Sequence, residues 1–392
     1  MAMRLDASVL PEMKRYGAFD INACFNCGNC TAVCPLSEGN VAFPRRVIRY
    51  AQLGQRDHIA ASREVWLCYY CGECSDTCPR QAEPGAFMAA ARRYATASFD
   101  PLTVARKLYG SATSAFAVLG IVFAALLAIF LSSSAALPAG HADTAKLLKF
   151  VPYETIHWTG LGVIVAVVVV IAITLVNMAW MVSRAPLPGA PPVDSKPRRF
   201  PLSTALTALW TAIVEIVGQR RYRDCDKEKP APPEALPVRR WLVHYAIMGG
   251  MVGLAVATVY DYFFKTPGSQ VALYYPSRLL GTVAGAAFVY GLSVVIIQRL
   301  RKPESIKYYA QSLLSDWVLV VLLWAIGATG FILELAEYAA IGRTWVAVIF
   351  VVHITFAMEL ILLTPFTKLG HLIYRPAALW FNEFRRLRAE ER

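Results

Sequence analysis

Apolar runs with scarcely a charge recur six times along this chain, near 111–133, 158–183, 241–261, 279–298, 315–335 and 345–369. As helix, each is long enough to cross the roughly 30 Å of a bilayer's hydrocarbon core. A backbone in lipid must satisfy its own hydrogen bonds, so the pattern predicts six transmembrane helices. The connections between them fall into two sets. Those at 184–240, 299–312 and from 368 onward carry 11, 4 and 6 Lys and Arg, whereas those at 134–156, 262–278 and 335–344 carry 2, 2 and 1. The excess of positive charge places the first set and both termini in the cytoplasm of a multi-pass inner-membrane protein.

Two stretches break this pattern. The loop 184–240 opens with RAPLPGAPP and closes with KPAPPEALP, both extended linker. Between them Leu202, Leu206, Leu209, Ile213 and Ile216 recur at helical spacing, opposite Thr204, Thr207, Thr211 and Glu215. That stripe predicts either a helix lying on the membrane surface or one covering part of the same protein. The first hundred residues are polar and lack the apolar segment of a secretory signal, so they are expected to stay in the cytoplasm. The domains expected are a head at 1–100, a first helix pair at 101–183, the basic linker at 184–240 and a four-helix block at 241–392.

Composition sharpens the picture. Of the 392 residues, 56% are hydrophobic and 17% charged, with a mean hydropathy of +0.44, unlike a soluble enzyme. The net charge of +12 sits mostly in the cytoplasmic connections, so the membrane accounts for it and no nucleic acid is invoked.

The head carries the chemistry. CFNCGNCTAVCP at 24–35 is repeated as CYYCGECSDTCP at 68–79, each of the form CxxCxxCxxxCP. Three thiolates at this spacing wrap one iron–sulfur cube, while the fourth, before Pro, reaches to the other. The expected sets for two [4Fe–4S] clusters are Cys24, Cys27, Cys30 with Cys78, and Cys68, Cys71, Cys74 with Cys34. The competing reading is zinc, which usually takes paired CxxC knuckles. A cytoplasmic compartment disfavours disulfides. The 33 residues between Cys34 and Cys68 read as two short helices, FPRRVIRYAQLGQ and HIAASREVW, so the head is expected to be helical and ferredoxin-like and the whole chain all-α. Cys225 stands alone in the linker and is expected to bind nothing.

A cluster domain moves single electrons, so the membrane part should hold a centre that exchanges them. His residues within spans are costly and usually functional, and imidazole is a common axial ligand of haem iron. His353 and His371 are 18 residues apart, five helical turns and about 27 Å, on one face of a continuous last helix. His244, behind Arg239 and Arg240, lies at the depth of His371, and the two make a bis-His pair for haem b. Gly249, Gly250 and Gly253 either admit a porphyrin or pack against a neighbouring helix. His353 with His157, beside Trp158, is the candidate pair for a second haem nearer the outer surface, His157 being otherwise an interfacial residue. His58 and His141 read as surface residues. Asp261, Arg278, Glu334 and Glu337 cluster near the outer ends of spans and are candidates to handle quinone protons, the alternative being solvated anchors. Glu359, deep in the last span, is the intramembrane candidate, the alternative being a protonated packing residue.

The cysteine-rich head joined to a haem-type tail resembles the membrane subunit of the quinone-interacting membrane-bound oxidoreductases. The head is similar to the small iron–sulfur subunit of heterodisulfide reductase, and the last four spans to the gamma subunit of respiratory nitrate reductase, although the latter pattern has two His where this chain has only His244. The resemblance implies two soluble flavin-containing iron–sulfur partner subunits, and electron exchange between menaquinone and adenylyl-sulfate reductase in sulfur metabolism. Two other readings stand beside it: a membrane subunit of a heterodisulfide reductase-type complex, and a redox sensor or anchor without turnover.

Overall fold

A computed structural model describes residues 6–37, 41–136, 144–184, 201–219, 223, 235–301, 312–339 and 344–390. Cys225, His141 and most of the two Pro-rich stretches of the linker, 185–192 and 229–234, lie outside the described residues. Every regular element among the described residues is a helix.

Six helices are long and apolar enough to cross a membrane: Ala112–Ser132, Tyr153–Arg184, Arg240–Phe264, Pro276–Arg301, Leu314–Tyr338 and Thr344–Leu363. Their outward faces leave Ile121, Val168, Val176, Val259 and Val283 more than half exposed, a belt that only lipid would cover at no cost. The third and fourth spans meet along small residues. A Cβ on Gly250 would lie 2.6 Å from the Ala284 carbonyl oxygen, and one on Gly253 2.6 Å from the Ala284 Cβ. These two glycines therefore serve helix packing and offer no seat to a porphyrin, whereas a Cβ on Gly249 meets nothing within 4 Å.

The last span does not run on to His371. It ends at Leu363, and Thr364–Phe366 and Lys368–Gly370 form two short 3₁₀ turns before a separate helix, His371–Glu390. Pro365 supplies no N–H to the ladder, so the expected common face of His353 and His371 is broken there.

The head is built of short helices around one long one, Pro84–Phe99. Where two helices were expected between the quartets there are three, Arg45–Gln52, Arg56–Ala60 and Glu64–Leu67. Val9, Met13, Ile48, Ile59, Phe87 and Phe99 form its core, which continues without a gap into Met178, Val182, Phe366 and Tyr374 at the ends of spans and the tail helix. Tyr374 is fully buried, 5.2 Å from the ring of Trp66 and 5.4 Å from that of Phe99. Burial of side chains this size stabilises by about 1.5–3 kcal/mol each, so the head is fastened to the membrane block rather than tethered to it.

The helix Leu202–Gly218 covers part of the same protein, but largely through the face opposite the stripe. Thr204, Ala205, Ala208 and Ala212 are buried, with Trp380 of the tail helix donating from Nε1 to the Ala205 carbonyl at 3.0 Å. Leu202, Leu206, Leu209 and Ile213 remain exposed on the other side.

Candidate functional site

The two quartets have one backbone. Asn26 and Tyr70 take φ of 63° and 55°, and Gly28 and Gly72 φ of 100° and 98°, each pair at equivalent positions. Alternation into the left-handed region turns successive N–H groups inward, as anion-binding nests do. The Tyr70 N–H donates to Cys68 Sγ at 3.3 Å and the Ala82 N–H to Cys78 Sγ at 3.4 Å. The glycines permit this conformation at no cost, and in Tyr70 it is uncommon for a bulky residue.

The cysteines of the two quartets lie close to one another. Cys30 lies within electrostatic range of Cys24, Cys27 and Cys78. Cys74 lies in range of Cys68, Cys71 and Cys34, with Cys30 next, so the two sets adjoin. Cys24, Cys27, Cys30 and Cys78 line a cavity together with Phe25 and Arg45. Among the described residues no three potential ligands crowd a single point as one metal ion needs. Burial pushes the Cys34 thiol up to about 12 and raises those of Cys30 and Cys74 as well. Thiolates at these positions therefore call for a cation charge beside them, which iron supplies.

The surroundings of the two sets differ. Cys27 is exposed, beside Phe25 at 61% and Val33 at 40% exposure. The second loop instead faces the membrane block. Its N–H groups turn toward sulfur, which leaves its carbonyls in need of donors, and arginines provide them. Arg92 donates from Nε to Val65 O at 2.6 Å and from Nη2 to Cys68 O. Arg240 donates from Nη1 to Tyr70 O at 2.7 Å and from Nη2 to Tyr69 O at 3.1 Å. Arg375 Cζ lies 4.0 Å from the centre of the Tyr69 ring, and the Tyr69 hydroxyl donates to Glu215. Beside this loop, Asp316 is buried between Arg93 at 2.7 Å and Lys368 at 3.2 Å, joining the head's long helix to the fifth span and to the turn that follows the sixth.

Arg240 is one turn before His244, and Arg375 one turn after His371. The two imidazoles are within electrostatic range of each other. His371 Nδ1 donates to Lys368 O at 2.7 Å, which leaves its Nε2 lone pair for a metal. Burial brings His371 down to about 4, so the ring is neutral. His244 Nδ1 pairs with Gln219 Oε1 at 3.2 Å. In the fifth span the Thr329 hydroxyl donates to Ala325 O at 2.7 Å and accepts from Nδ1 of His353, on the sixth span, at 2.9 Å. His157 is stacked between Tyr153 and Tyr262, each with centroid at 5.8 Å, with Trp158 at its edge. No described contact joins it to His353.

At the ends of the third to fifth spans remote from the head, the Ser277 hydroxyl donates to Asp261, and Arg278 Nη2 meets Glu337 Oε2 at 3.1 Å. Thr282 donates to Glu334 Oε1 at 2.5 Å. Arg278 Nε and Glu337 Oε1 are buried without a partner. Glu359 stands apart from this group, 2% exposed, with Oε1 likewise unpartnered.

The profile of a 4Fe-4S dicluster domain matches residues 23–83. That of citrate utilization protein B matches residues 105–391, most of the 392-residue chain. The chain belongs to the citrate utilization protein B family. Two curated relatives are a subunit of the H(2):CoB-CoM heterodisulfide,ferredoxin reductase of Methanothermobacter thermautotrophicus and its counterpart from Methanothermobacter marburgensis. Each is 32% identical over 63 residues, 16% of this chain and 34% of the relative. The chain thus spans about a third of the length of the curated relatives it matches. No solved structure matches. This member of the citrate utilization protein B family is therefore a membrane protein with an iron–sulfur head.

Sequence reading found the eight cysteines and the histidines but missed what surrounds them. Arg92, Arg240 and Arg375 looked like ordinary basic residues at cytoplasmic helix ends, and Gln219 like part of a linker. The signal that was present is periodic: Arg240 precedes His244, and Arg375 follows His371, by four residues.

Proposed function

We propose that this chain passes single electrons between a membrane quinone and a soluble flavin-containing partner, through two [4Fe–4S] clusters and haem b. The observation that carries this reading is the clasp between the second quartet's loop and the two helix ends that bear His244 and His371. Cys24, Cys27, Cys30 and Cys78 would hold the outer cluster, and Cys68, Cys71, Cys74 and Cys34 the inner one. His244 and His371 would hold haem b through Nε2; the unpartnered Arg375 Nη2 close by fits such an anionic cofactor. When bound, these groups supply one-electron chemistry over a wide range of potential.

His353 and His157 are the candidates for a second haem. Thr329 orients His353, while the stacking of His157 would have to open for it to reach iron. For menaquinone, the Asp261, Arg278, Glu334 and Glu337 group offers carboxylates to take protons at the outer surface, and Glu359 one within the bilayer. The excess of Lys and Arg on one side supports a cytoplasmic head and cytoplasmic termini.

Two identities of the soluble partner follow from different observations. The sequence resemblance points to flavin and iron–sulfur subunits feeding adenylyl-sulfate reductase. Membership of the citrate utilization protein B family favours instead a partner that takes part in the use of citrate. Purification of the native complex tests both: the co-purifying soluble subunits name the partner, and quinol-reduced spectra read the haem and clusters. A preparation with two clusters that no quinol reduces would leave only a sensor or anchor and overturn the electron-transfer reading.

A further inference from the structure

Arg375 has more hydrogen-bonding capacity than the protein uses. Its guanidinium carbon lies over the Tyr69 ring, 4.0 Å from the centroid, yet Nη2 is buried without a partner. A buried guanidinium N–H left unmade is costly, and its usual partner is a carboxylate or phosphate. Within its surroundings, Asp316 is taken by Arg93 and Lys368, and Glu215 accepts from Tyr69. Being one turn after His371, Arg375 also shares that residue's helix face.

We propose that Arg375 binds a carboxylate side chain of the haem held by His371, while its face fixes Tyr69 of the second quartet's loop. The proposal rests on the haem reading above. One guanidinium then seats the haem and sets how close the second cluster stands to it. Arg240 is assigned the second task, since its two terminal nitrogens donate to the Tyr70 and Tyr69 carbonyls. No bond forms or breaks in the electron step itself; one centre loses an electron and the other gains it, so the contribution of Arg375 is position and charge. A positive charge beside the haem favours its reduced form, and removing that charge leaves the carboxylate unpaired, which favours the oxidised form.

The test uses the full-length protein in its purified complex, comparing wild type, Arg375→Gln, Arg375→Lys and Arg240→Gln. Pyridine haemochrome measures haem content, potentiometric titration the haem midpoint, and hydrogen exchange the protection of residues 66–72. In Arg375→Gln the haem should be retained, its midpoint potential should fall and loop protection should drop. Arg375→Lys should recover part of the potential but not the protection, because an ammonium keeps the charge and loses the flat stacking face. Arg240→Gln should loosen the loop with a smaller change in midpoint. A haem potential in both Arg375 variants equal to wild type overturns the proposal. Wild-type protein without haem overturns the haem reading beneath it. Should Arg375→Gln fail to accumulate, the lysine variant decides through the same two readouts.

Discussion

The loops Cys24–Cys34 and Cys68–Cys78 share a pattern and a backbone conformation but satisfy their outward carbonyls differently. At the first, the Cys24 carbonyl accepts from the neutral Gln52 amide at 2.8 Å, and Gln52 in turn accepts from Asn26 at 2.6 Å. At the second, arginine guanidiniums serve Val65, Cys68, Tyr69 and Tyr70. A motif of eight cysteines fixes what is bound, and the neighbours of each loop fix which way it faces. The first looks toward solvent through Cys27 and Phe25; the second is sealed against the membrane block.

The sharpest way to break this comparison is to remove one sulfur from each side. Cys71→Ser and Cys27→Ser should each lose or convert one cluster, read as iron per chain against the eight expected for intact protein. Only Cys71→Ser should also change the haem spectrum or potential, because only its loop touches the helix ends bearing His244 and His371. Identical effects of the two variants on the haem would erase the assignment of inner and outer sites, and stoichiometric zinc in place of iron would end the cluster reading.

The next effect lies across the clasp. His371→Ala and His244→Ala should each abolish one low-spin haem signal while the protein still inserts, since one axial ligand goes from an otherwise intact site. If quinol is oxidised at the outer side, the clusters of His371→Ala stay oxidised on the turnover timescale when quinol is added. Clusters reduced at the wild-type rate would show that quinol delivers electrons directly at the cytoplasmic side.

Stability separates the two sides as well. Asp316→Ala leaves Arg93 and Lys368 without their shared carboxylate in a buried junction, and removing one partner of such a group typically costs about 3–5 kcal/mol. The expected outcome is faster proteolysis of the head from membranes and a lower unfolding temperature, with iron content of the folded fraction unchanged. Phe25→Ser, at a 61% exposed position, should alter stability by no more than about 0.5 kcal/mol. Its effect should appear in the rate of exchange with the soluble partner alone.

The legibility of these features in sequence follows the range of their causes. The six spans were readable because hydropathy is local, and their observed ends differ from the expected ones by a few residues of fraying. The quartets were readable because cluster ligation imposes fixed spacing on adjacent residues. The helix break after Leu363 also had a local cause, Pro365 with Gly370 behind it, but the five-turn spacing of His353 and His371 masked it. Gly250 and Gly253 pack on Ala284, a choice of neighbour that periodicity along one helix cannot express. The arginine contacts join residues 92, 240 and 375 to a loop at 65–70. Such contacts leave no pattern in a single sequence, because any basic residue at a cytoplasmic helix end looks the same.

Tyr69→Phe gives the smallest expected effect and probes the clasp most finely. The Tyr69 hydroxyl donates to Glu215 of the helix Leu202–Gly218, and burial raises that hydroxyl to about 12, so it remains a donor at any physiological pH. Phenylalanine keeps the ring beside Arg375 and removes the hydroxyl together with its hydrogen bond to Glu215. A hydrogen bond to a charged group contributes roughly 1.5–3 kcal/mol, and the Glu215 carboxylate, half-buried, has water within reach to replace part of it, so a loss near the lower end is expected. The change should show as faster hydrogen exchange across 202–218, with haem and cluster spectra unaltered, since neither Arg240 nor Arg375 has moved. The first quartet has no equivalent hydroxyl at Phe25. If Tyr69→Phe shifts the haem potential as much as Arg375→Gln does, the hydroxyl and not the guanidinium holds the clasp, and the division of labour between the two loops has to be redrawn around Glu215.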